Sequence, residues 1–117
     1  MKLYEVKNIL KAEVLSGEEL LNETVAGGGS ADLTEDMLSA VAKGSVFLTG
    51  LHNTEFIRTA KIIGVSAIVF VRGKRPKQNI VDLARSFDMP ILLTGYPMFV
   101  ASGLLYMEGL RGLEGSW

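Results

Sequence analysis

Three apolar segments of the chain follow one pattern, in which a run of apolar residues ends at a glycine and a helix-like segment follows. The runs and their glycines are 46–49 with Gly50, 68–71 with Gly73, and 91–94 with Gly95. Strands that are apolar at successive positions are typical of parallel sheets covered by helices on both faces. The pattern therefore predicts an α/β domain with a mostly parallel sheet, and a site at the edge where these strands end.

Helical spacing of apolar residues recurs between and around these strands. A short helix is predicted at the N-terminus, one helix follows each glycine, and another follows Asp32, which precedes Glu35 at the spacing of a capping box. Asn53 is predicted to cap the helix after the first glycine, and Gly64 to end it. Brief strands are predicted at 12–15 and 23–26. The apolar helix positions are Leu3, Val6, Ile9 and Leu10; Leu33, Met37, Leu38 and Val41; Phe56, Ile57, Ala60 and Ile63; and Ile80, Leu83, Ala84 and Phe87.

The last predicted helix, from Met98 to Met107, differs from the others because apolar residues surround most of its circumference. A single stripe facing the core occupies only part of a helix surface. Two interpretations account for the surplus equally well. Either the helix is wedged between the sheet and the N-terminal helix, or its outer face forms a homodimer interface, as large apolar surfaces often do.

Two glycine-rich segments lie outside these predicted elements. Gly27, Gly28 and Gly29 lack the spacing of a phosphate loop or a dinucleotide fingerprint. A flexible turn or a bulged strand end is favoured there over close approach of the backbone to a ligand. The glycine-spaced residues 111–117 are predicted to be a flexible tail, with anchoring by Trp117 as the alternative. The domain itself is therefore predicted at 1–110.

Composition narrows the functional classes. The 117 residues are 48% hydrophobic, and 12 basic against 13 acidic residues give a net charge of −1. One domain is expected at this length, and the balanced charge argues against nucleic acid or a membrane surface as partner. Without cysteine the chain can form no disulfide or Fe–S cluster. No signal-like segment is present at the N-terminus, so a cytoplasmic location is expected.

Polar and basic residues collect where the three predicted strands end. Four of the 12 basic residues fall within the segment 72–77. Threonine hydroxyls, and the N–H groups of the helices that follow, can bind an anion such as phosphate or carboxylate. The alternative for the basic segment is a solvated loop that keeps the surface soluble. The candidate ligand-binding residues are Thr49, Gly50, His52, Asn53, Arg72, Gly73, Lys74, Thr94 and Gly95.

Catalytic chemistry finds little support in the sequence. His52 is the only histidine. With no cysteine it makes a poor metal site, and no orienting partner for a general base is evident, so an ordinary loop residue is the favoured interpretation. Asp32, Glu35 and Asp36 are explained by helix capping and the helix dipole. We therefore expect a protein that is not an enzyme and that holds no cofactor or metal.

The segments 32–38, 49–53 and 71–76 together resemble the DRTGG domain family. This resemblance extends from the N-terminal helix to about Leu110. It implies a three-layer α/β/α domain similar to the N-terminal domain of HPr kinase/phosphorylase and to regulatory segments of some phosphotransacetylases. Such domains often dimerise, some accompany CBS domains, and they serve as accessory or regulatory modules. Kinase activity is not implied, because that chemistry belongs to a separate P-loop domain.

The expected function is therefore a non-catalytic regulatory or accessory module that binds a small anionic ligand, a nucleotide or a phosphorylated metabolite, at the carboxyl ends of its strands. Through this ligand it would regulate a partner protein. The alternative is a protein-interaction or assembly subunit without a small ligand, which acts through a homodimer or partner interface.

Overall fold

The computed structural model describes residues 1–39 and 42–113, which form five strands and five helices. A single turn of 3₁₀-helix lies at Glu18–Leu20. The strands are β1 (Glu13–Ser16), β2 (Gly27–Ser30), β3 (Ser45–Thr49), β4 (Ala67–Phe70) and β5 (Ile91–Leu93). The helices are α1 (Leu3–Ile9), α2 (Thr34–Ser39), α3 (Thr54–Ile63), α4 (Gln78–Ser86) and α5 (Met98–Met107).

The five strands form one sheet in the order β1-β5-β4-β3-β2. Strands β2, β3, β4 and β5 run parallel to one another, and β1 pairs with β5 in antiparallel orientation. The three strands predicted from the glycine pattern are β3, β4 and β5, which lie side by side. Their residues are buried throughout, as a sheet covered on both faces requires. The prediction of a mostly parallel sheet is confirmed.

Helices cover the sheet on both faces, so the predicted three-layer α/β/α architecture is confirmed. On one face α2, α3 and α4 contribute residues such as Met37, Phe56 and Ile80 to a core with alternate strand residues. On the other face α1 and α5 bury Val6 and Leu105 against the remaining strand residues. Because side chains of a strand alternate between faces, each central strand supplies apolar residues to both cores.

Local signals set the ends of α3 as predicted. The Oδ1 atom of Asn53 accepts a hydrogen bond from the N–H of Phe56 at 2.7 Å. Gly64 ends the helix in the left-handed conformation, with φ 92°. Asp32 behaves differently from its predicted capping role, because α2 begins only at Thr34. The predicted core position Val41 lies outside the described residues.

The glycine run is a strand, and the prediction of a turn there is wrong. The strand predicted at 23–26 is also wrong, since Thr24 forms only an isolated bridge with Lys2. Gly28 and Gly29 pair instead with β3 in regular parallel register. A Cβ atom on Gly29 would lie 2.8 Å from Cε2 of Phe47, closer than real Cβ atoms approach. Close contact with neighbouring side chains therefore explains the glycines.

The chain after α5 returns along the outer edge of β2. Gly112 forms a parallel bridge with Gly28, whose N–H donates to the carbonyl of Arg111 at 2.9 Å. Leu110 packs against one face of β2 at Gly28, and Leu113 packs against the other face at Gly29. These contacts cover an edge strand that would otherwise offer unpaired backbone groups. The rest of the predicted tail, including Trp117, lies outside the described residues.

Helix α5 has one face in the core and one face exposed. Ala101 and Leu105 are buried against α1 and the sheet. Phe99 and Met107 are 90% and 83% exposed, respectively. The core interpretation accounts for the inner face and leaves the outer face uncovered. In the part of the chain that the structure describes, no helix has the length and apolar character needed to cross a membrane.

Candidate functional site

The three glycine corners predicted from the sequence meet at one edge of the sheet, where β3, β4 and β5 end. We call this the strand-end edge and define it as Asp32 with the segments 49–53, 72–74 and 94–96. The corners after β4 and β5 are bonded directly, since the N–H of Gly73 donates to the carbonyl of Thr94 at 2.8 Å. A Cβ atom on Gly73 would lie 3.6 Å from the Cα atom of Gly95, so the two glycines are neighbours.

Asp32 reaches across this edge from the end of β2. Its Oδ1 atom accepts hydrogen bonds from the N–H of Gly50 at 2.8 Å and from the hydroxyl of Thr49 at 3.5 Å. The Thr49 hydroxyl oxygen in turn accepts from the N–H of Leu51 at 3.0 Å. Sequence reasoning assigned Asp32 to helix capping and missed this role. Asp32 follows the end of β2 directly, but the sequence did not predict that strand, so the position of Asp32 at this edge was not recognised.

Arg72 lies beside the same carboxylate. Its Nη2 atom is 3.9 Å from Oδ2 of Asp32, and the two side chains are 62% and 51% exposed. The backbone of Arg72 is in the left-handed region with φ 66°, and Gly73 follows with φ 67°. Two successive residues with positive φ form a tight corner after the end of β4.

The other basic residues of the segment 72–77 differ in their contacts, since only Arg75 among them forms a salt bridge with a described residue. Arg75 forms two hydrogen bonds with the carboxylate of Glu13, at 2.6 and 3.0 Å. Arg75 thereby lowers the pKa of Glu13. Lys74 and Lys77 form no salt bridge with any described residue. Of these side chains, Arg72 and Lys74 belong to the strand-end edge, and both are exposed.

His52 is a packed ring at this edge. Its imidazole meets the ring of Phe70 edge-on, with the centroids 4.5 Å apart. The Nε2 atom is buried and has no hydrogen-bond partner among the described residues. Burial, and then the positive charge of Lys74, lower the pKa of His52 below its ordinary value. The neutral ring is therefore favoured, and it supports the corner through contact rather than through charge.

The side chains of Asn53 and Thr94 already form hydrogen bonds with backbone groups. The Asn53 amide caps α3, as described above. The Thr94 hydroxyl donates to the carbonyl of Leu10 at 2.7 Å and accepts from the N–H of Tyr96 at 3.3 Å. The structure thus brings all nine predicted residues to one edge, where they have different roles. Threonine, asparagine and histidine side chains shape the corners, and the side chains of Arg72 and Lys74 are exposed.

A metal centre has no candidate ligands in the described residues, where no three acidic or histidine side chains lie close enough to share an ion. The edge combines two cations with one carboxylate. Such a combination can bind an anion through the cations and, through the carboxylate, a hydroxyl donor.

Comparison with protein families gives a match to the DRTGG domain over residues 5–106. The chain belongs to the DRTGG domain family. The resemblance inferred from the three sequence segments is therefore confirmed. No curated protein matches the chain.

Among solved structures, the chain is similar to the CBS and DRTGG domains of the regulatory region of Clostridium perfringens pyrophosphatase, complexed with the activator diadenosine tetraphosphate. The TM-score is 0.73 at 22% sequence identity. The match covers 89% of this chain and 45% of that one, so this DRTGG domain spans less than half of its neighbour. At this level of identity the likeness confirms the α/β fold.

Proposed function

We propose that this DRTGG domain is a non-catalytic regulatory or accessory module that binds a small anionic ligand at its strand-end edge. The ligand would be a nucleotide or a phosphorylated metabolite, held by the side chains of Arg72 and Lys74 beside the glycine corners at Gly50, Gly73 and Gly95. Through this ligand the domain would regulate a partner protein in the cytoplasm.

The observation that carries the proposal is the environment of Asp32. One anionic group of the chain itself is already held at this edge by a backbone N–H, a hydroxyl and a nearby guanidinium. These are the donors that bind carboxylate and phosphate oxygens in proteins. The guanidinium of Arg72 is 3.9 Å from the carboxylate and more than half exposed, so it retains donors for a second anion.

The pyrophosphatase neighbour supports the ligand class. The activator bound to its regulatory region is a nucleotide with a chain of phosphates, which is strongly anionic. A module of the same fold with two cations at its strand-end edge suits a ligand of that class. The exposed Lys74 and Lys77 would also raise the local concentration of anions near the edge.

Thermal-shift screening against nucleotides and phosphorylated metabolites tests the proposal. A ligand at about ten times its Kd adds roughly 1.4 kcal/mol to the free energy of unfolding, which raises the Tm by several degrees. The double variant Arg72→Ala, Lys74→Ala should lose most of this rise. Asp32→Asn should enlarge it, because the asparagine oxygen still accepts from Gly50 while the competing negative charge is gone.

A matched control removes two positive charges elsewhere. Arg58 lies on the exposed side of α3, and Lys43 precedes β3 at the opposite end of the strands. The double variant Arg58→Ala, Lys43→Ala should therefore respond to ligand as the unmodified chain does. A Tm rise that is unchanged in the Arg72→Ala, Lys74→Ala variant would remove the strand-end edge as the site.

A second candidate function rests on the outer face of α5. Phe99, Gly103 and Met107 recur every four residues and form an exposed stripe with Gly103 at its centre. A two-fold axis at Gly103 would set Phe99 of one copy against Met107 of the other, as an isologous interface requires. We propose that this stripe forms a homodimer interface, through which the chain would act as an assembly subunit.

A further inference from the structure

A pocket of about 140 Å³ lies between β2 and α5, and none of its lining residues belongs to the strand-end edge. Its floor is the backbone of Gly28 and Gly29, and its walls include Leu48, Leu105 and Leu110. In another protein a cavity of about 150 Å³ with apolar walls holds one benzene ring. The pocket therefore has room for a single ring or a branched apolar group of similar size.

The chain after α5 builds one wall of this pocket. It turns at Gly109, with φ 106°, and the N–H of Leu110 then donates to the carbonyl of Leu105 at 3.0 Å. The carbonyl of Arg111, the residue after Leu110, accepts a hydrogen bond from the N–H of Gly28. Because Gly28 has no side chain, Leu110 packs directly over it, and the pocket lies beside Leu110.

The guanidinium of Arg111 is held against Tyr106 and Leu110, which both line the pocket. The Nη1 atom of Arg111 donates to the carbonyls of Tyr106 at 3.0 Å and Leu110 at 3.4 Å. Its guanidinium carbon lies 4.4 Å from the centre of the Tyr106 ring, a cation–π contact. These contacts orient the guanidinium, and its Nε and Nη2 atoms make no hydrogen bond with any described residue.

Hydroxyl groups line the rim as well. The Oγ atom of Ser102 donates to Oγ of Ser30 at 3.2 Å, which links α5 to the end of β2. An apolar pocket with an oriented guanidinium and two hydroxyls at its rim has the composition of a small-molecule site, in which few polar groups fix the orientation. The fork of donors on Arg111 matches a carboxylate in particular.

We propose that the β2–α5 pocket binds a small carboxylic acid with a ring-sized apolar body. The apolar body lies between Leu48, Leu105 and Leu110, and the carboxylate accepts hydrogen bonds from Arg111. The site is independent of the proposed function, because it uses none of the strand-end residues.

Benzoate is a suitable probe, with benzyl alcohol as a neutral compound of the same size. In ¹H–¹⁵N spectra of the full chain, benzoate should shift the amide signals of Gly29, Ser102 and Gly112 in a saturable manner. The signals of Gly50 and Gly73 should stay in place. Benzyl alcohol should bind roughly fivefold more weakly, because one exposed ion pair contributes a modest free energy.

Two variants separate charge from shape. Arg111→Gln should lower benzoate affinity to that of benzyl alcohol, while Arg58→Gln, on the far side of the sheet, should leave it unchanged. Ser102→Leu fills the pocket from α5 and should abolish binding of both compounds. The amide spectrum of each variant reports directly whether it is folded.

Three results would overturn the proposal. One is the absence of saturable shifts at these amides, and another is benzoate binding that survives Ser102→Leu. The third is benzoate affinity that is unchanged by Arg111→Gln, which would remove the carboxylate assignment. Loss of ligand response in the Arg72→Ala, Lys74→Ala variant bears on the strand-end edge alone, so the two proposals fail separately.

Discussion

Residues at the strand-end edge differ in how much of their bonding capacity is already used. Thr94 donates to one backbone group and accepts from another, and Asn53 accepts from the start of α3. Substituting either would disturb the corner itself, so loss of binding in such a variant would say little about a ligand. Arg72 and Lys74 have exposed charges with few contacts, and their removal tests binding more directly.

His52 should make the stability of the domain depend on pH. Its pKa lies below the ordinary value of 6.5 in the folded chain. When the pH falls below about 6.5, the unfolded chain therefore binds a proton first, and the free energy of unfolding decreases until the folded value is passed. The Tm should decrease as the pH is lowered from about 7.5 to about 5.5, and thermal unfolding across this range measures it.

The control is His52→Phe, which keeps a ring against Phe70 and removes both the proton and the buried unpaired Nε2 atom. This variant should lose the dependence on pH in the same range. Arginine partners lower the pKa values of Glu13 and Glu18 from 4.5, so these two groups change the stability mainly below that pH, outside the range of His52. An equal decrease of Tm in the unmodified chain and in His52→Phe would contradict the assignment.

At the scale of elements, β2 shows how tertiary contact selects residues against local preference. Glycine is unfavourable in strands because it loses more backbone freedom on folding than other residues. Here the strand lies between Phe47 and Leu113 on one face and Leu110 on the other, within 3.0 Å of where side chains would begin. Only glycine fits without displacing these residues.

Gly29→Ala should destabilise the domain by about 1–3 kcal/mol, the usual cost of overpacking a core. Its Cβ atom would meet the ring of Phe47 at 2.8 Å, and that ring is fully buried. Gly28→Ala is the matched control in the same strand, since its Cβ atom meets the terminal Cδ2 atom of Leu110, which can rotate away. Urea unfolding of the two variants measures the difference, and equal stabilities would contradict this account.

For the whole molecule, the outer face of α5 is an apolar surface of the described residues that the fold leaves uncovered. Stable interfaces usually bury about 800 Å² on each partner, and such an area requires more than one side chain. The stripe of Phe99, Gly103 and Met107 is flanked by Val100 and Tyr106, which are 40% and 50% exposed. This apolar face suits the homodimer proposed above.

Light scattering coupled to size exclusion tests the homodimer. We expect a dimer at micromolar concentration, and Phe99→Lys should convert it to a monomer, because a charge cannot be buried unpaired at the interface. Ile62→Lys is the control, since Ile62 is an exposed apolar residue of similar size on α3, 85% exposed. A monomer in the unmodified chain would remove this interface.

Features that depend on neighbouring residues could be predicted from the amino-acid sequence. Continuous apolar runs predicted the three central strands, and Asn53 and Gly64 predicted the ends of α3, because capping needs only residues within one turn. The same runs predicted helices on both faces, and the glycines marked the edge where the strands end. Family membership, too, was inferred from short segments near those strand ends.

Features that depend on contacts between residues distant in sequence became evident only in the folded chain. Asp32 looks like a helix cap locally, yet its carboxylate bonds to Gly50 across the strand ends. The glycine run looks like a turn until Phe47 and Leu110 are seen to occupy the space of its side chains. Neither fact has a local signature, because each arises where separate segments are brought together by the sheet.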